Sequence, residues 1–143
     1  MNAGGAPGGT RRHIGSLIRR AQQRHLALWS AEVSQRISSV QYAALEALGT
    51  APGASQRELG EELGLDRSTI ADLVRRMESA GLLERRRDDG DRRRNALELT
   101  PLGRSELERL GPLVDRVQVE LVERLDPAEE AALRRGLLRL IGE

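Results

Sequence analysis

Hydrophobic residues recur every three or four positions along most of the chain, which is the period of an amphipathic α-helix. Glycines, prolines and capping residues separate six such stretches. Residues 1–10 lack this period and hold four glycines, which predicts a flexible tail. The predicted helices run from Arg11 to about Ile37, from Ser38 to Gly49, from Ser55 to about Leu63, from Asp66 to Gly81, from Thr100 to about Leu125 and from Asp126 to about Ile141.

Two of these helices begin with a recognisable capping sequence. Ser38 with Gln41, and Ser55 with Glu58, match the capping box. In this motif the serine hydroxyl and the side chain three residues later each accept a hydrogen bond from a backbone N–H of the first turn. The motif predicts where the second and third helices start.

The segment between the fourth and fifth helices is predicted to form a small sheet. Leu83–Arg87 and Asn95–Thr100 read as two strands around an Asp-Gly turn, with a loop longer than in a minimal hairpin. The fold class is therefore mainly α with a small β-wing. We predict a winged helix-turn-helix at residues 38–100, between an N-terminal dimerisation helix at 11–37 and C-terminal dimerisation helices at 101–143.

The flanking helices are predicted to pack against a second copy of the chain. Among 143 residues there are only two aromatic ones, Trp29 and Tyr42, so the core of a monomer is hard to fill. An apolar seam along the fifth helix is suited to helix-on-helix packing. The seam consists of Leu107, Leu110, Val114, Val117, Leu121 and Leu125.

Several classes of site are absent from the sequence. The chain has no cysteine, which excludes disulfides, thiol catalysis and thiol-based redox sensing. Its two histidines, His13 and His25, lack ligand spacing, so no metal or other cofactor is expected. No run of 18 apolar residues and no signal-peptide pattern occurs, so we expect a cytoplasmic protein without a membrane partner.

The distribution of charge is more informative than its total. The formal net charge is only +1, but all 23 basic residues are arginines, and residues 85–94 hold six of them against three aspartates. This run directly follows a segment with helix-turn-helix spacing, in which Gly64 makes the turn and Ile70 and Leu73 pin the two helices together. Arginines at a hairpin beside such a pair are suited to gripping duplex DNA.

The candidate DNA contacts lie on the helix-turn-helix and on the wing. The N-terminus of the second helix of the pair usually faces the base edges, and there the chain has Arg67 followed by two hydroxyl residues. The predicted set is Ser55, Gln56, Arg67, Ser68, Thr69, Asp72, Arg75, Arg76, Asp91, Arg92, Arg93 and Arg94.

Three segments resemble the multiple-antibiotic-resistance-regulator (MarR) family: "SSVQYAALEAL", "SQRELGEELGLDRSTIADLVRRMESAGLLER" and "DDGDRRRNALELTPLGR". The resemblance implies a homodimer whose two winged modules bind a pseudo-palindromic site on double-stranded DNA. It also implies that Arg93 enters the minor groove, that Asp91 orients it, and that Arg76 supports the recognition helix or contacts the backbone. Asp72 departs from a purely basic face, because a carboxylate accepts a hydrogen bond from cytosine but repels phosphate.

Members of that family commonly bind small anionic aromatic compounds, and the sequence offers candidate residues for such an effector. Gln22, His25 and Trp29 share one face of the first helix, and Tyr42 and Leu45 lie at the start of the second. Arg104 is a candidate partner for a carboxylate. Alternatively, Trp29 and Tyr42 are the only two aromatics of a dimer core, and the ring nitrogens of His25 have hydrogen-bond partners within the protein.

Three functions remain to be weighed. The leading one is a DNA-binding transcription regulator, expected to act as a repressor, that a small aromatic acid releases from DNA. The first alternative is a constitutive DNA binder without a ligand. The second is a winged-helix dimer that serves as a protein-interaction module, which Arg67, Arg75 and Arg76 disfavour. An enzyme is not expected, because no paired carboxylates, no nucleophile with a base and no phosphate-binding glycine loop stands out.

Overall fold

The computed structural model describes residues 9–88 and 91–143, with the side chains of all but residues 10, 88 and 91–95. Within them a short 3₁₀ turn, Gly9–Arg12, precedes six α-helices and three strands. Residues 1–8 of the predicted tail lie outside the described residues, whereas Gly9 and Thr10 belong to the turn. The elements are α1 Ile14–Glu32, α2 Ser39–Thr50, β1 Ala54–Ser55, α3 Gln56–Leu63, α4 Arg67–Ser79, β2 Leu83–Asp88, β3 Asp91–Leu99, α5 Pro101–Leu121 and α6 Pro127–Ile141.

The first helix is shorter than the apolar pattern predicts. It ends at Glu32 instead of near Ile37, because the Ser34 hydroxyl accepts hydrogen bonds from the backbone N–H groups of Arg36 (3.0 Å) and Ile37 (2.9 Å). Such a local bond replaces the helical pattern of backbone bonding. Val33 and Ile37 are nevertheless buried, which explains why the apolar stripe continues beyond the helix end.

The predicted caps are confirmed. Both capping boxes form, with Ser38 accepting from the Gln41 N–H at 3.1 Å and Ser55 from the Glu58 N–H at 3.1 Å. Thr100 caps α5 by accepting from the N–H of Gly103 at 3.0 Å. Two more helix ends differ from the prediction: α2 continues through Gly49 to Thr50, and α5 ends at Leu121 instead of near Leu125.

The small sheet is larger than predicted. The three strands are antiparallel in the order β1-β3-β2, and no strand was predicted at the position of β1. Pairing of β2 with β3 continues out to Asp88 and Asp91, where the sequence predicted a longer loop. The outer pairs consist of arginine, aspartate and asparagine, so apolar and polar residues do not alternate there. The hydrophobic pattern therefore cannot predict this pairing, which depends on hydrogen bonds between the two backbones. The predicted class, mainly α with a β-wing, is confirmed.

The chain divides into two compact units, which we call the helical unit and the winged unit. The winged unit is Ser34–Leu113, wider than the predicted 38–100, and the helical unit comprises residues up to Val33 and from Val114 onward. The assignment of dimerisation to the flanking helices stays a prediction. The core of the winged unit includes Ala44, Leu45, Leu48, Leu59, Ile70, Val74, Met77, Leu82, Leu83, Leu97, Leu99 and Leu110.

The helical unit leaves much apolar surface uncovered. Trp29, Val33 and Val117 are buried, but α6 has no buried residue. Its exposed apolar side chains include Ile14, Leu17, Ile18, Leu26, Val119, Leu133, Leu137, Leu138, Leu140 and Ile141. None of the described helices is both long and apolar enough to cross a membrane.

Candidate nucleic-acid interface

Helices α3 and α4 form the helix-turn-helix that the spacing predicts. Gly64 ends α3 in a left-handed conformation (φ +65°), which glycine adopts without steric cost. At Gly60 a Cβ atom would lie 3.2 Å from Cγ2 of Ile70, so the small residue permits the close crossing of the two helices. Leu59, Ile70 and Leu73 are buried where the helices meet. The outer face of α4 is therefore left for other contacts.

The N-terminus of α4 presents one basic and two hydroxyl side chains. Asp66 caps the helix by accepting from the N–H of Thr69 at 2.8 Å and from the hydroxyl of Ser68 at 3.0 Å. The bond from the Thr69 backbone is the main cause that lowers the pKa of Asp66 below its ordinary value. Arg67, Ser68 and Thr69 are all exposed, as contacts to DNA require.

Farther along α4, one carboxylate holds two arginines. Asp72 Oδ2 lies 3.0 Å from Arg76 Nε, and its Oδ1 accepts a hydrogen bond from Arg75. All three side chains are substantially exposed, at 42% for Asp72 and 71% for each arginine. The structure brings these three predicted DNA contacts together on one face of the helix, but both arginines form ion pairs with Asp72.

Arg85 joins the wing to both helices of the helix-turn-helix. From β2 it donates to Glu78 Oε2 at the end of α4 (3.1 Å) and to Gln56 Oε1 at the start of α3 (3.0 Å). The Gln56 amide and the capping hydroxyl of Ser55, both predicted DNA contacts, therefore have internal partners. Neither bond excludes a DNA contact, since both residues are half-buried rather than enclosed.

The wing is less basic in effect than its sequence indicates. Arg86 Nε lies 3.1 Å from Glu98 Oε2, and its Nη2 lies 3.1 Å from Glu84 Oε1. Arg85 pairs with a glutamate as well, so among the wing arginines whose side chains the structure describes, Arg85 and Arg86 are paired and Arg87 is exposed. The predicted contacts Asp91, Arg92, Arg93 and Arg94 belong to β3, but their side chains lie outside the described part of the chain.

The glutamate partners of these arginines were not singled out from the sequence. Glu84 and Glu98 face each other in the register of β2 and β3, and Arg86 lies two residues along from Glu84 on the same face. Alternate residues of a strand share a face, so the period-two spacing of Glu84 and Arg86 was a usable signal. Glu78 carried none, because its contact with Arg85 depends on how α4 packs against β2.

The six predicted ligand contacts are divided between the two units. In the helical unit, the rings of His25 and Trp29 meet edge to face, with centroids 6.1 Å apart and planes at 76°. Trp29 is buried, His25 is half-buried and Gln22 is exposed. This arrangement gives one aromatic pair whose histidine edge reaches solvent, which is compatible with either a ligand contact or a core pair.

In the winged unit, Tyr42 and Leu45 are buried and Arg104 is exposed. Arg104 donates to the backbone carbonyl of Leu99 at 2.9 Å, so its guanidinium is partly engaged. A cleft of about 680 Å³ beside α2 and α3 contains none of the six residues. Its lining is Ala43, Glu46, Ala47, Thr50, Ala51, Ala54, Glu58, Leu59, Glu62 and Leu63, and the three carboxylates make it unsuited to an anionic ligand.

A sequence model of the MarR family matches residues 37–94, the segment that contains α2, the helix-turn-helix and most of the wing. Two full-length relatives extend the similarity. The transcriptional regulator HosA of Escherichia coli is 35% identical over 85% of this chain and 89% of its own length. The transcriptional repressor NicR of Pseudomonas putida is 30% identical over 90% of this chain and 82% of its own. This chain belongs to the MarR family.

Solved structures of MarR-type regulators support the same assignment. The PcaV regulator of Streptomyces coelicolor with its natural ligand is 43% identical, with a TM-score of 0.86 and coverage of 90% and 92% of the two chains. BpsR of Bordetella bronchiseptica, whose DNA binding is regulated by 6-hydroxynicotinic acid, is 27% identical (TM-score 0.85, 92% and 94%). The repressor CouR on a 23-mer DNA duplex is 29% identical (TM-score 0.81, 96% and 99%). The chain is therefore a transcription regulator, and its relatives are regulators rather than enzymes.

Proposed function

We propose that this MarR-family regulator is a homodimeric repressor that binds a pseudo-palindromic duplex through α4 and the wing, and that a small aromatic acid releases it from DNA. The observation that carries the proposal is the exposed N-terminus of α4. It presents Arg67, Ser68 and Thr69 on a helix whose opposite face is locked into the core through Ile70 and Leu73. A helix held in this way, with an exposed basic and hydroxyl end, is suited to the major groove.

Support for the dimer comes from the helical unit. Its leucines, isoleucines and valines on α1, α5 and α6 include many exposed side chains, and burying exposed apolar surface against a partner is favourable. A second copy of the same unit is the partner that two-fold symmetry on DNA requires. The chain should therefore be a dimer at micromolar concentration in light scattering. A folded monomer would contradict the two-half-site arrangement.

DNA binding is best tested by selection from a random duplex library, followed by titration of the recovered site. Enrichment of a two-fold symmetric sequence is expected. Arg93→Ala should then weaken binding. It should also reduce the slope of log K against log salt concentration by about 1 for each phosphate that the arginine no longer neutralises. Arg134→Ala serves as the matched control, because it removes an exposed arginine from α6, outside the winged unit. If both variants bind like the wild type, the wing has no part in binding.

The release by an aromatic acid is supported by the relatives and by the His25–Trp29 pair. A panel of benzoic and nicotinic acids should raise the melting temperature and dissociate the protein from its selected DNA. Trp29→Phe, which keeps an aromatic ring in the buried position, should reduce the thermal shift while preserving the fold. Stabilisation by none of the acids would favour a constitutive DNA binder.

A further inference from the structure

Asp72 is an acidic residue on α4, the second helix of the helix-turn-helix, and it lies between two arginines. Asp72 bridges Arg75 and Arg76, one turn of helix farther on, and all three side chains reach solvent. Exposed ion pairs of this kind contribute little to stability. Both arginines also have no carboxylate other than Asp72 among the ion pairs of the described residues. The ion pairs of this trio can therefore open at little cost in stability.

The same carboxylate decides how much positive charge α4 offers to DNA. With its cap residue, the helix carries three arginines, Arg67, Arg75 and Arg76, against three carboxylates, so its formal charge is zero. A phosphate that approaches Arg75 or Arg76 competes with Asp72 for the guanidinium and meets the negative charge of this carboxylate at close range. Binding that depends on phosphates alone is weakened by this competition.

We propose that Asp72 is a specificity-determining residue, a role that rests on the proposed DNA-binding function. On non-operator DNA its carboxylate keeps Arg75 and Arg76 from the phosphates. On the operator it accepts a hydrogen bond from the exocyclic amine of cytosine, the base-edge donor that carboxylates pair with in the major groove, and the two arginines are released to the backbone. The same residue thus weakens non-specific binding and selects a cytosine in each half-site.

The test compares the wild type with Asp72→Asn and Asp72→Ala in the full-length chain. Each protein selects its site from a random duplex library, and its affinity is then measured on the wild-type operator and on a scrambled duplex over a salt series. Both variants should bind scrambled DNA about tenfold or more tightly. A plot of log K against log salt concentration should steepen in slope by about 2–4. Freeing two arginines in each subunit adds up to four phosphate contacts per dimer, and each contact contributes about 0.9 to this slope.

The base preference separates the two variants. Asp72→Ala should lose the cytosine preference, whereas Asp72→Asn should shift it to adenine, which an amide can bind through two hydrogen bonds. Glu61→Gln is the matched control, because it makes the same charge change by removing the partner of Arg57 in an exposed ion pair on α3. It should leave the affinity for scrambled DNA within about twofold of the wild type.

Two results would overturn the proposal while leaving DNA binding intact: an equal gain for Glu61→Gln, or selected sites that keep cytosine in both Asp72 variants. A wild-type protein that enriches no sequence at all would instead refute the proposed function itself.

Discussion

Gly103 is the position at which the structure makes the sharpest prediction about a single added methyl group. It lies in the first turn of α5, where its N–H donates to the capping hydroxyl of Thr100. A Cβ atom at this position would lie 2.0 Å from the carbonyl oxygen of Leu82 and 3.1 Å from its carbonyl carbon. The same oxygen accepts the hydrogen bond from the Thr100 N–H at 3.1 Å. We therefore expect Gly103→Ala to force α5 away from the start of β2.

The size of the effect follows from these distances. The methyl group falls about 1 Å short of the 3.0 Å that real Cβ contacts respect, and the obstacle is backbone rather than a rotatable side chain. Such overpacking costs about 1–3 kcal/mol, and loss of the Thr100–Leu82 bond adds about 1 kcal/mol. Alanine recovers up to about 1 kcal/mol through its helix propensity. With the full propensity gain, the net loss of about 1–3 kcal/mol corresponds to a decrease of roughly 2–12 °C in Tm.

Thermal and urea unfolding followed by circular dichroism measures this loss, at one fixed protein concentration because the stability of an oligomer depends on it. Gly49→Ala is the matched control: its Cβ would lie 2.8 Å from Cδ2 of Leu107, the far end of a flexible side chain that can rotate away. It should change the stability by less than about 1 kcal/mol. A Gly103→Ala protein as stable as the Gly49→Ala protein would refute the reasoning from backbone contact.

The remaining predictions concern charged residues. Arg85→Ala should lower operator affinity with little loss of Tm, since its bonds are exposed but hold the wing to α3 and α4; equal binding by the variant and the wild type in titration would show that they are not needed. Asp66→Ala should lower Tm at neutral pH, and the difference should shrink as the pH falls from the ordinary value of 3.8 through the lowered pKa of Asp66, because the stabilisation by the carboxylate is complete above its unfolded-state pKa and is lost as the folded-state carboxyl takes up its proton; Asp66→Asn should retain the cap. A hydrogen bond with Glu32 raises the pKa of Glu120, so this carboxyl stabilises the fold at low pH and less as the pH rises through its pKa. Glu120→Gln should therefore raise Tm more at pH 8 than at pH 4, and the opposite order would contradict the pairing.

Local features of this fold were predictable because they depend on residues close in sequence. The capping box of Ser55 and Glu58 and the turn at Gly64 are each set within a few positions, and the structure confirms both. The end of α1 also has a local cause, the hydroxyl of Ser34. The sequence did not predict this helix end, because the helical spacing of apolar residues continues past Ser34 as far as Ile37.

The candidate site divides in the same way. The sequence predicts that the exposed start of α4 contains Arg67, Ser68 and Thr69. The prediction follows from the capping residue Asp66 and from the helical spacing of the apolar residues after it. The pairing of Arg85 with Glu78 and Gln56 joins residues 7 and 29 positions away, so it depends on the packing of three elements. Counting arginines at 85–94 therefore does not show that Arg85 and Arg86 are already paired with glutamates, because sequence distance does not reveal such pairs.

Asp72 shows why pairing matters more than charge at such a surface. Taken alone, it is an acid that weakens a basic face; its bonds to Arg75 and Arg76 show that it also holds the two arginines of that face in ion pairs. A regulator must discriminate its operator from a large excess of other DNA, and non-specific affinity comes almost entirely from phosphate contacts. Lowering that affinity improves discrimination even when operator binding becomes weaker too. A recognition helix with no net charge is thus consistent with selection for specificity rather than for tight binding.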